Sequence, residues 1–182
     1  MSVRPRPIVA AFGVLLAASL IAACGGAEKQ DADEPEGNWN VRVLDASFPG
    51  RQRLADEVQL RITVKNEDTR TVPNLAVTVD GFSRRENDFD ASDQNRPLWV
   101  IDRPPDNAAT AHTNTWAVGA VPPGAQRTLT WKVSAVRAGT YQLHWRVAAG
   151  LNGKAKALED GQPPSGSFIA RVSEKTHPVQ ID

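Results

Sequence analysis

The sequence predicts an all-β fold, an antiparallel β-sandwich of about seven strands with a long middle insertion. Apolar and polar residues alternate strictly along three stretches: EVQLRITVKN at 57–66, TLTWKV at 128–133 and YQLHWRV at 141–147. A period of two is that of a strand with one buried and one solvated face. Turn residues separate the alternating segments, and no long stretch has apolar residues at helical spacing. These features together favour two packed sheets.

Weaker alternations complete the predicted strands. The first strand, residues 40–48, shifts phase at Leu44, which predicts a bulge or a bend there. The polar residues 51–55 are interpreted as a connection. Residues 135–139 contain no tight-turn pair, so this connection is expected to cross from one sheet to the other. Further strands are predicted at 75–79, 115–121, 154–158 and 168–172.

Alternation fails over residues 82–114, which we interpret as an insertion into the domain. A loop of this length is either functional or contains structure of its own. Within it, the apolar run at 98–101 predicts a short strand that places Trp99 against the sandwich or at its rim.

The N-terminus predicts export and lipid attachment. Residues 1–23 have a basic start followed by an apolar stretch that is too short for a permanent span, as in a signal peptide. Ile21-Ala22-Ala23-Cys24 resembles the lipobox of bacterial lipoproteins. That resemblance implies that Cys24 receives a diacylglyceryl group and becomes the mature N-terminus. The alternative is an ordinary cleavable signal peptide.

Residues 24–38 are expected to form a disordered tether behind the lipidated cysteine. The segment is acidic, with glutamate and aspartate prevailing over the single Lys29, and it has no apolar residue larger than alanine. Such a composition cannot bury enough surface to offset the entropy of ordering. The folded domain is therefore predicted to cover residues 39–182.

Several motifs resemble immunoglobulin-like bacterial modules of the CARDB and related extracellular types. They are Asn66 after the strand VQLRITVK, the Pro-Gly pair before TLTWKV, and Gly139-Thr140-Tyr141 at the start of the next strand. The likeness covers residues 41–149 and implies an extracellular sandwich that serves as a spacer, an adhesive or a ligand-presenting module. Gly139-Thr140-Tyr141 also resembles a tyrosine corner, whose hydroxyl bonds to upstream backbone. The alternative is that Tyr141 is an ordinary core residue.

Composition and motifs argue against several other functions. The chain carries 21 basic and 21 acidic residues, so no strong field favours a nucleic-acid partner. His112, His144 and His177 have no ligand-like spacing, and no nucleotide-binding or hydrolase motif occurs. Alternating acids at Asp88, Asp90 and Asp93 lack the glycine and glutamate of an EF-hand loop. We therefore expect neither metal nor cofactor and no catalytic residues, with calcium at the acidic loop as the alternative.

Tryptophans and arginines suggest a binding surface. Trp131 and Trp145 occupy inward positions and are expected in the core, whereas Trp99 lies in the insertion between Arg96 and Arg103. We interpret Trp99, Arg96 and Arg103 as the centre of a binding surface. The alternative is that Trp99 covers the open edge of the core.

The sequence thus predicts a non-enzymatic lipoprotein anchored through Cys24 on the extracytoplasmic face of the cell membrane, or in the outer membrane of a cell with two membranes. Its partners are expected to be the membrane and an envelope protein or cell-wall glycan. The alternative is a structural or assembly component of an envelope complex without a ligand of its own. Oligomeric state is left open.

Overall fold

A computed structural model describes residues 33–85 and 95–174 of the chain. Strands and irregular structure make up these residues, and no helix that could span a membrane occurs among them. The strands are β1 (Gly37–Ser47), β2 (Arg51–Arg53), β3 (Glu57–Asn66), β4 (Ala76–Asp80), β5 (Ser83–Arg85), β6 (Asn95–Pro97), β7 (Trp99–Arg103), β8 (Ala109–His112), β9 (Thr115–Ala117), β10 (Gln126–Ala135), β11 (Gly139–Ala148), β12 (Ala155–Leu158) and β13 (Ser165–Ser173).

The strands form two mixed sheets and a separate hairpin. One sheet has the order β12-β1-β3-β10-β7, the other β2-β13-β11-β4-β9-β8, and β5 pairs with β6. Within them, β1-β3-β10-β7 and β4-β11-β13 follow the ABED and CFG orders of an immunoglobulin constant-type sandwich. The predicted sandwich of about seven strands is therefore confirmed. The short strands β12 and β2 add parallel pairings, to β1 and β13 respectively.

The core lies between the two sheets, on the faces that the alternation predicted. Leu60 and Ile62 on β3, Trp131 on β10 and Leu143 on β11 have no exposed surface. Strand β10 belongs to the first sheet and β11 to the second, so the connection between them crosses the sandwich as expected.

The predicted irregularity at Leu44 is a bulge. The β1–β3 register passes from Val43 opposite Val64 to Asp45 opposite Thr63, which leaves Leu44 as the extra residue. Its side chain is 47% exposed. The predicted tyrosine corner is also present, because the Tyr141 hydroxyl donates to the carbonyl of Ala138 over 2.7 Å.

Two sequence interpretations need correction. Residues 51–53 are the strand β2 rather than a simple connection, and they pair with the end of β13. Residues 82–114 are not a single inserted loop, because β7 lies among them and pairs with β10 in the first sheet. The short strand predicted at 98–101 corresponds to β7 and is an integral sandwich strand.

The domain begins earlier than the sequence predicted. Residues 37–40 of β1 pair with β12, and Glu34 makes hydrogen bonds to the loop that precedes β12. Residues 34–38 of the predicted tether are therefore ordered against the domain. The predicted signal peptide, Cys24 and the rest of the predicted tether up to residue 32 lie outside the described residues.

The strand directions give the sandwich two distinct ends. The entry end holds the start of β1, the turn after β3 and the loop between β11 and β12. The far end holds the end of β1, the β10–β11 connection and the root of the β5–β6 hairpin. About 30 Å separates these ends along β3, at roughly 3.4 Å per residue of an antiparallel strand.

Candidate functional site

The hairpin of β5 and β6, here called the insertion hairpin, is rooted in the core at the far end. The carbonyl of Phe82 accepts hydrogen bonds from the backbone N–H groups of Leu98 (2.8 Å) and Trp99 (3.0 Å). The side chains of Phe82 and Leu98 are 4% and 5% exposed. The hairpin stem therefore has a fixed base. Residues 86–94, including Asp88, Asp90 and Asp93, lie outside the described residues.

Trp99 belongs to the core and is only 2% exposed, which corrects the expectation of a surface platform at this residue. Its indole N–H donates to the side-chain carbonyl of the buried Gln52 over 2.8 Å. The Gln52 amide in turn donates to the carbonyl of Pro49 over 2.7 Å. Phe48 and Tyr141 pack edge-on against the indole at centroid distances of 5.7 and 5.5 Å. The position of Trp99 on the edge strand β7 agrees with the alternative prediction, in which this residue covers the edge of the core.

The two arginines near Trp99 occupy different settings. Arg103 is exposed at the end of β7, opposite Lys132 of β10. Arg96 is half-buried on β6, where it pairs in register with Arg84. Since the Trp99 side chain points into the core, the three residues do not form one exposed surface. A role for Arg96 and Arg103 in binding stays a prediction.

Sequence reasoning missed an exposed apolar surface on β7 and the β10–β11 connection. Val100 and Val136 are 44% and 46% exposed. They lie close together, because Val100 is opposite Ser134 of β10 and the Val136 N–H donates to the carbonyl of Leu98. We call Val100 and Val136 the far-end patch. The alternation of β7 could have predicted that Val100 is exposed only if the short strand at 98–101 had been assigned to the first sheet of the sandwich.

Asn66 organises the loops of the entry end. The residue is 1% exposed, and its side-chain amide donates to the carbonyls of Val121 (2.8 Å) and Arg70 (2.9 Å). Its side-chain oxygen accepts the N–H of Asp68 over 2.8 Å. The side chain thus joins the turn after β3 to the loop before β10, which explains structurally why an asparagine stands at this position.

Asp68 and Arg70 form a polar cluster beside Trp39. Arg70 donates to the Asp68 carboxylate through its backbone N–H (3.0 Å) and through Nε (3.1 Å), and Asn40 N–H donates over 3.1 Å. The Arg70 guanidinium also lies 4.7 Å above the Trp39 ring. The side-chain bond from Arg70 is the main cause that lowers the pKa of Asp68 to about 2, against the opposing effect of burial.

A second acidic residue, Glu34, is enclosed by the loop between β11 and β12. Its Oε2 accepts the N–H groups of Leu151 (2.6 Å) and Asn152 (2.7 Å), and its Oε1 accepts that of Ala155 (2.7 Å). Burial raises the pKa of the Glu34 carboxyl, but the backbone N–H donors outweigh it and hold the pKa below its usual range. Gly150 provides the space, because a Cβ atom there would be 2.2 Å from the Glu34 Cδ.

A shallow groove lies over the pairing of β11 with β13. Its volume is about 340 Å³, and it is lined by His144, Trp145, Arg146, Ser165, Gly166 and Ser167. The other four tryptophans of the chain are buried, so Trp145 is the most accessible of the five. Trp131 is core as predicted, and Trp145 occupies the predicted inward position and packs against the core but is only half-buried.

The described histidines are on the surface, in β8 and β11. His144 is opposite Asp80 in the β11–β4 ladder, but the Asp80 carboxylate accepts hydrogen bonds from Arg146 (2.8 Å) and Asn114 (3.4 Å). His112 is exposed, and His177 lies outside the described residues. Residues 33–85 and 95–174 contain no group of three or more metal-ligating side chains.

Strand order and loop placement together define an immunoglobulin-like sandwich module. No protein-family model and no curated protein matches the chain. The CARDB domain of a Pyrococcus furiosus protein, solved in complex with di-metal ions, is similar at 14% identity and a TM-score of 0.45, over 76% of this chain and 93% of that chain.

Two further solved structures are similar at comparable levels. An Escherichia coli alpha-2-macroglobulin fragment from domain MG7 to the C-terminus has 16% identity and a TM-score of 0.47, over 75% of this chain and 17% of that chain. A PapD-like domain of human CEP192 has 12% identity and a TM-score of 0.44, over 75% of this chain and 87% of that chain. These likenesses concern the fold and give no ligand or activity to this chain.

Proposed function

We propose that this chain is a membrane-anchored extracytoplasmic lipoprotein whose immunoglobulin-like domain binds an envelope protein without catalysing a reaction. The separation between the entry end and the far end is the observation that carries the proposal. The resemblance of residues 21–24 to a lipobox supports the anchor.

An anchor at Cys24 would be joined to the domain at the entry end, because the described chain begins there, at Glu34 and Gly37. The insertion hairpin and the far-end patch lie about 30 Å from this point of attachment, along the length of β3. Two acyl chains suffice for a durable anchor, because each buried methylene contributes about 0.8 kcal/mol. The arrangement suits a module that presents its far end to a partner.

The far-end patch has the chemistry of a small protein-binding surface. Val100 and Val136 offer adjacent apolar contacts, and Arg103, three residues further along β7, offers a cation. The centres of protein interfaces are more apolar than their rims, and arginine is a common contributor to binding. A partner with an apolar contact and an acidic side chain would be complementary.

Site-specific cross-linking in intact cells tests this proposal. A photo-reactive amino acid at Val136 should form an adduct with an envelope protein, and Arg103→Glu should reduce its yield. The matched control is Ile169, which is 66% exposed on the other sheet. Equal adducts at the two positions, or none at Val136, would contradict a binding role for the far end and favour the purely structural alternative.

The contribution of the insertion hairpin can be tested without damaging the core. Replacing residues 86–94 by Asn-Gly joins Arg85 to Asn95, which already face each other in register, through a favoured two-residue turn. The variant keeps Phe82, Leu98 and β7, so it should fold with an unchanged melting temperature. Loss of the Val136 adduct in this variant would assign part of the interface to residues 86–94.

The anchor has its own test. Cys24→Ala should move the chain from the membrane fraction to the soluble fraction, because the modified thiol is lost. Continued sedimentation with membranes would contradict lipidation while leaving the far-end experiment valid.

The groove over β11 and β13 favours a second candidate function, binding of cell-wall glycan. His144, Arg146, Ser165 and Ser167 share the solvated face of this strand pair and line one open groove, whereas Trp145 lies on the core-facing side with Gly166. Such a set of polar groups can form hydrogen bonds with sugar hydroxyls. Co-sedimentation with purified cell-wall sacculi should then fall in an Arg146→Ala and Ser165→Ala double variant, whereas undiminished sedimentation would exclude the groove.

A further inference from the structure

We propose that residues 150–155 form a carboxylate-binding site whose resident ligand is Glu34, and that this site fastens the segment before β1 to the domain. The proposal is independent of membrane attachment, since it concerns contacts within the folded chain. We call Glu34 together with residues 150–155 the Glu34 site.

The donors are fixed by the backbone of the loop. Three N–H groups converge on both carboxylate oxygens at 2.6 to 2.7 Å, and they belong to Leu151, Asn152 and Ala155. Successive N–H groups that point inward in a turn form a concave anion site, often called a nest. Gly153, between these donors, has a φ of +77°, a backbone conformation that favours glycine.

The shape of the site is as specific as its donors. A Cβ atom at Gly150 would come within 2.2 to 2.5 Å of the Glu34 carboxylate atoms, so glycine leaves the volume that the anion fills. Gly150 itself is buried. The site therefore consists of the buried Gly150, the three backbone N–H donors and the Glu34 carboxylate that they bind.

The Glu34 site continues into regular pairing of the first strand. The Gly37 N–H donates to the carbonyl of Lys154 over 3.1 Å, within the same loop. Residues 37–40 then pair with residues 155–158 in the β1–β12 ladder. Glu34 is thus the first contact of a continuous docking of residues 34–40, and its loss should loosen the loop and the start of β1 together.

The chemical class of ligand is a carboxylate, and acetate is the simplest probe. In the full chain, Glu34→Ala should lower the melting temperature by about 2 to 6 °C. Amide hydrogen exchange at Leu151, Asn152 and Ala155 should accelerate at least about tenfold, because the acceptor of these donors is gone. Sodium acetate should restore both properties in the variant, and sodium chloride at equal ionic strength should not. The wild-type chain should respond to neither salt beyond their common effect.

Matched variants separate a specific site from general electrostatics. Glu36→Ala removes an exposed acid two residues away and should leave the loop amides protected. Gly150→Ala added to Glu34→Ala should abolish the rescue by acetate, because its methyl group occupies the anion position. Glu34→Gln, which keeps the size and one oxygen of the side chain, provides a milder variant for the same exchange measurement if Glu34→Ala unfolds.

Three outcomes would overturn the proposal. Loop amides that stay protected in Glu34→Ala and Glu34→Gln would show that Glu34 is not their ligand. Acetate that protects the wild type and Glu34→Ala equally, or that still rescues the variant carrying Gly150→Ala, would show that the anion acts elsewhere.

Discussion

Gly139 lies directly against the phenol ring of Tyr141, two residues further along β11. A Cβ atom at Gly139 would come within 2.7 Å of both Cζ and the hydroxyl oxygen of the ring. The glycine also has a φ of +149°, which side chains rarely allow. The tyrosine corner therefore depends on the glycine as well as on the hydrogen bond from Tyr141 to Ala138.

Tyr141→Phe should lower the free energy of unfolding by about 1 to 2 kcal/mol, because it removes one hydrogen bond and leaves the Ala138 carbonyl without this donor. Urea-induced unfolding followed by tryptophan fluorescence measures the change. An unchanged midpoint would show that the corner bond contributes nothing to stability.

Gly139→Ala should be more damaging than Tyr141→Phe, with a loss of about 2 kcal/mol or more from backbone strain and displacement of the ring. The matched control is Gly124→Ala, at a φ of +72° with open space around its added Cβ. If both alanine variants lose the same stability, contact with Tyr141 is not the cause.

Asn66→Ala should cost about 2 to 4 kcal/mol, since it leaves buried backbone groups of two loops without their partner. Asn66→Asp should not recover this loss, because a buried carboxylate would face the carbonyl oxygens of Val121 and Arg70, to which it cannot donate. Thermal unfolding of the three chains checks this order, and equal stability of wild type and Asn66→Ala would refute it.

Acid stability should depend on Asp68. Its folded pKa of about 2 lies below its ordinary value of 3.8, so its contribution is complete above 3.8 and disappears as the pH falls toward 2. Asp68→Asn should therefore be less stable than wild type at neutral pH, and the difference should shrink through this pH range. Melting temperatures of both chains as a function of pH measure the effect, and parallel curves would contradict it.

The pair Gln52 and Trp99 offers a test by double substitution. Gln52→Leu leaves the buried indole N–H without an acceptor and should cost about 1 to 3 kcal/mol. Trp99→Phe removes that N–H, so the two substitutions together should cost less than their sum. Strict additivity in urea unfolding would show that the hydrogen bond is not significant.

Strands with one solvated face were predictable from the sequence, because alternation records burial directly. This applies to β3, β10 and β11, where the buried residues Leu60, Trp131 and Leu143 are those that the pattern selected. The phase shift at Leu44 was sufficient to place the bulge in β1. The tyrosine corner also followed from a local pattern, since all its parts lie within four residues.

Features that depend on distant partners were not predictable. Strand β2 has no apolar residue, and its pairing with β13 joins segments far apart in the chain. Charged residues lie near Trp99 in the sequence, and they suggested an exposed side chain. The acceptor of its buried indole N–H is Gln52, 47 residues away. In the sequence, Glu34 is one of several acidic residues in its segment. The backbone N–H groups that donate to it are 117 to 121 residues away.

The positions of the outer strands have a mechanical consequence. The folded chain enters at the start of β1 at one end and leaves β13 at the opposite end, and these strands belong to different sheets. A pulling force applied between residues 37 and 173 would run along the strands, whereas ladder hydrogen bonds are directed across them. Rupture would then require many bonds to shear at once instead of opening one after another, so the domain should resist tension along its length.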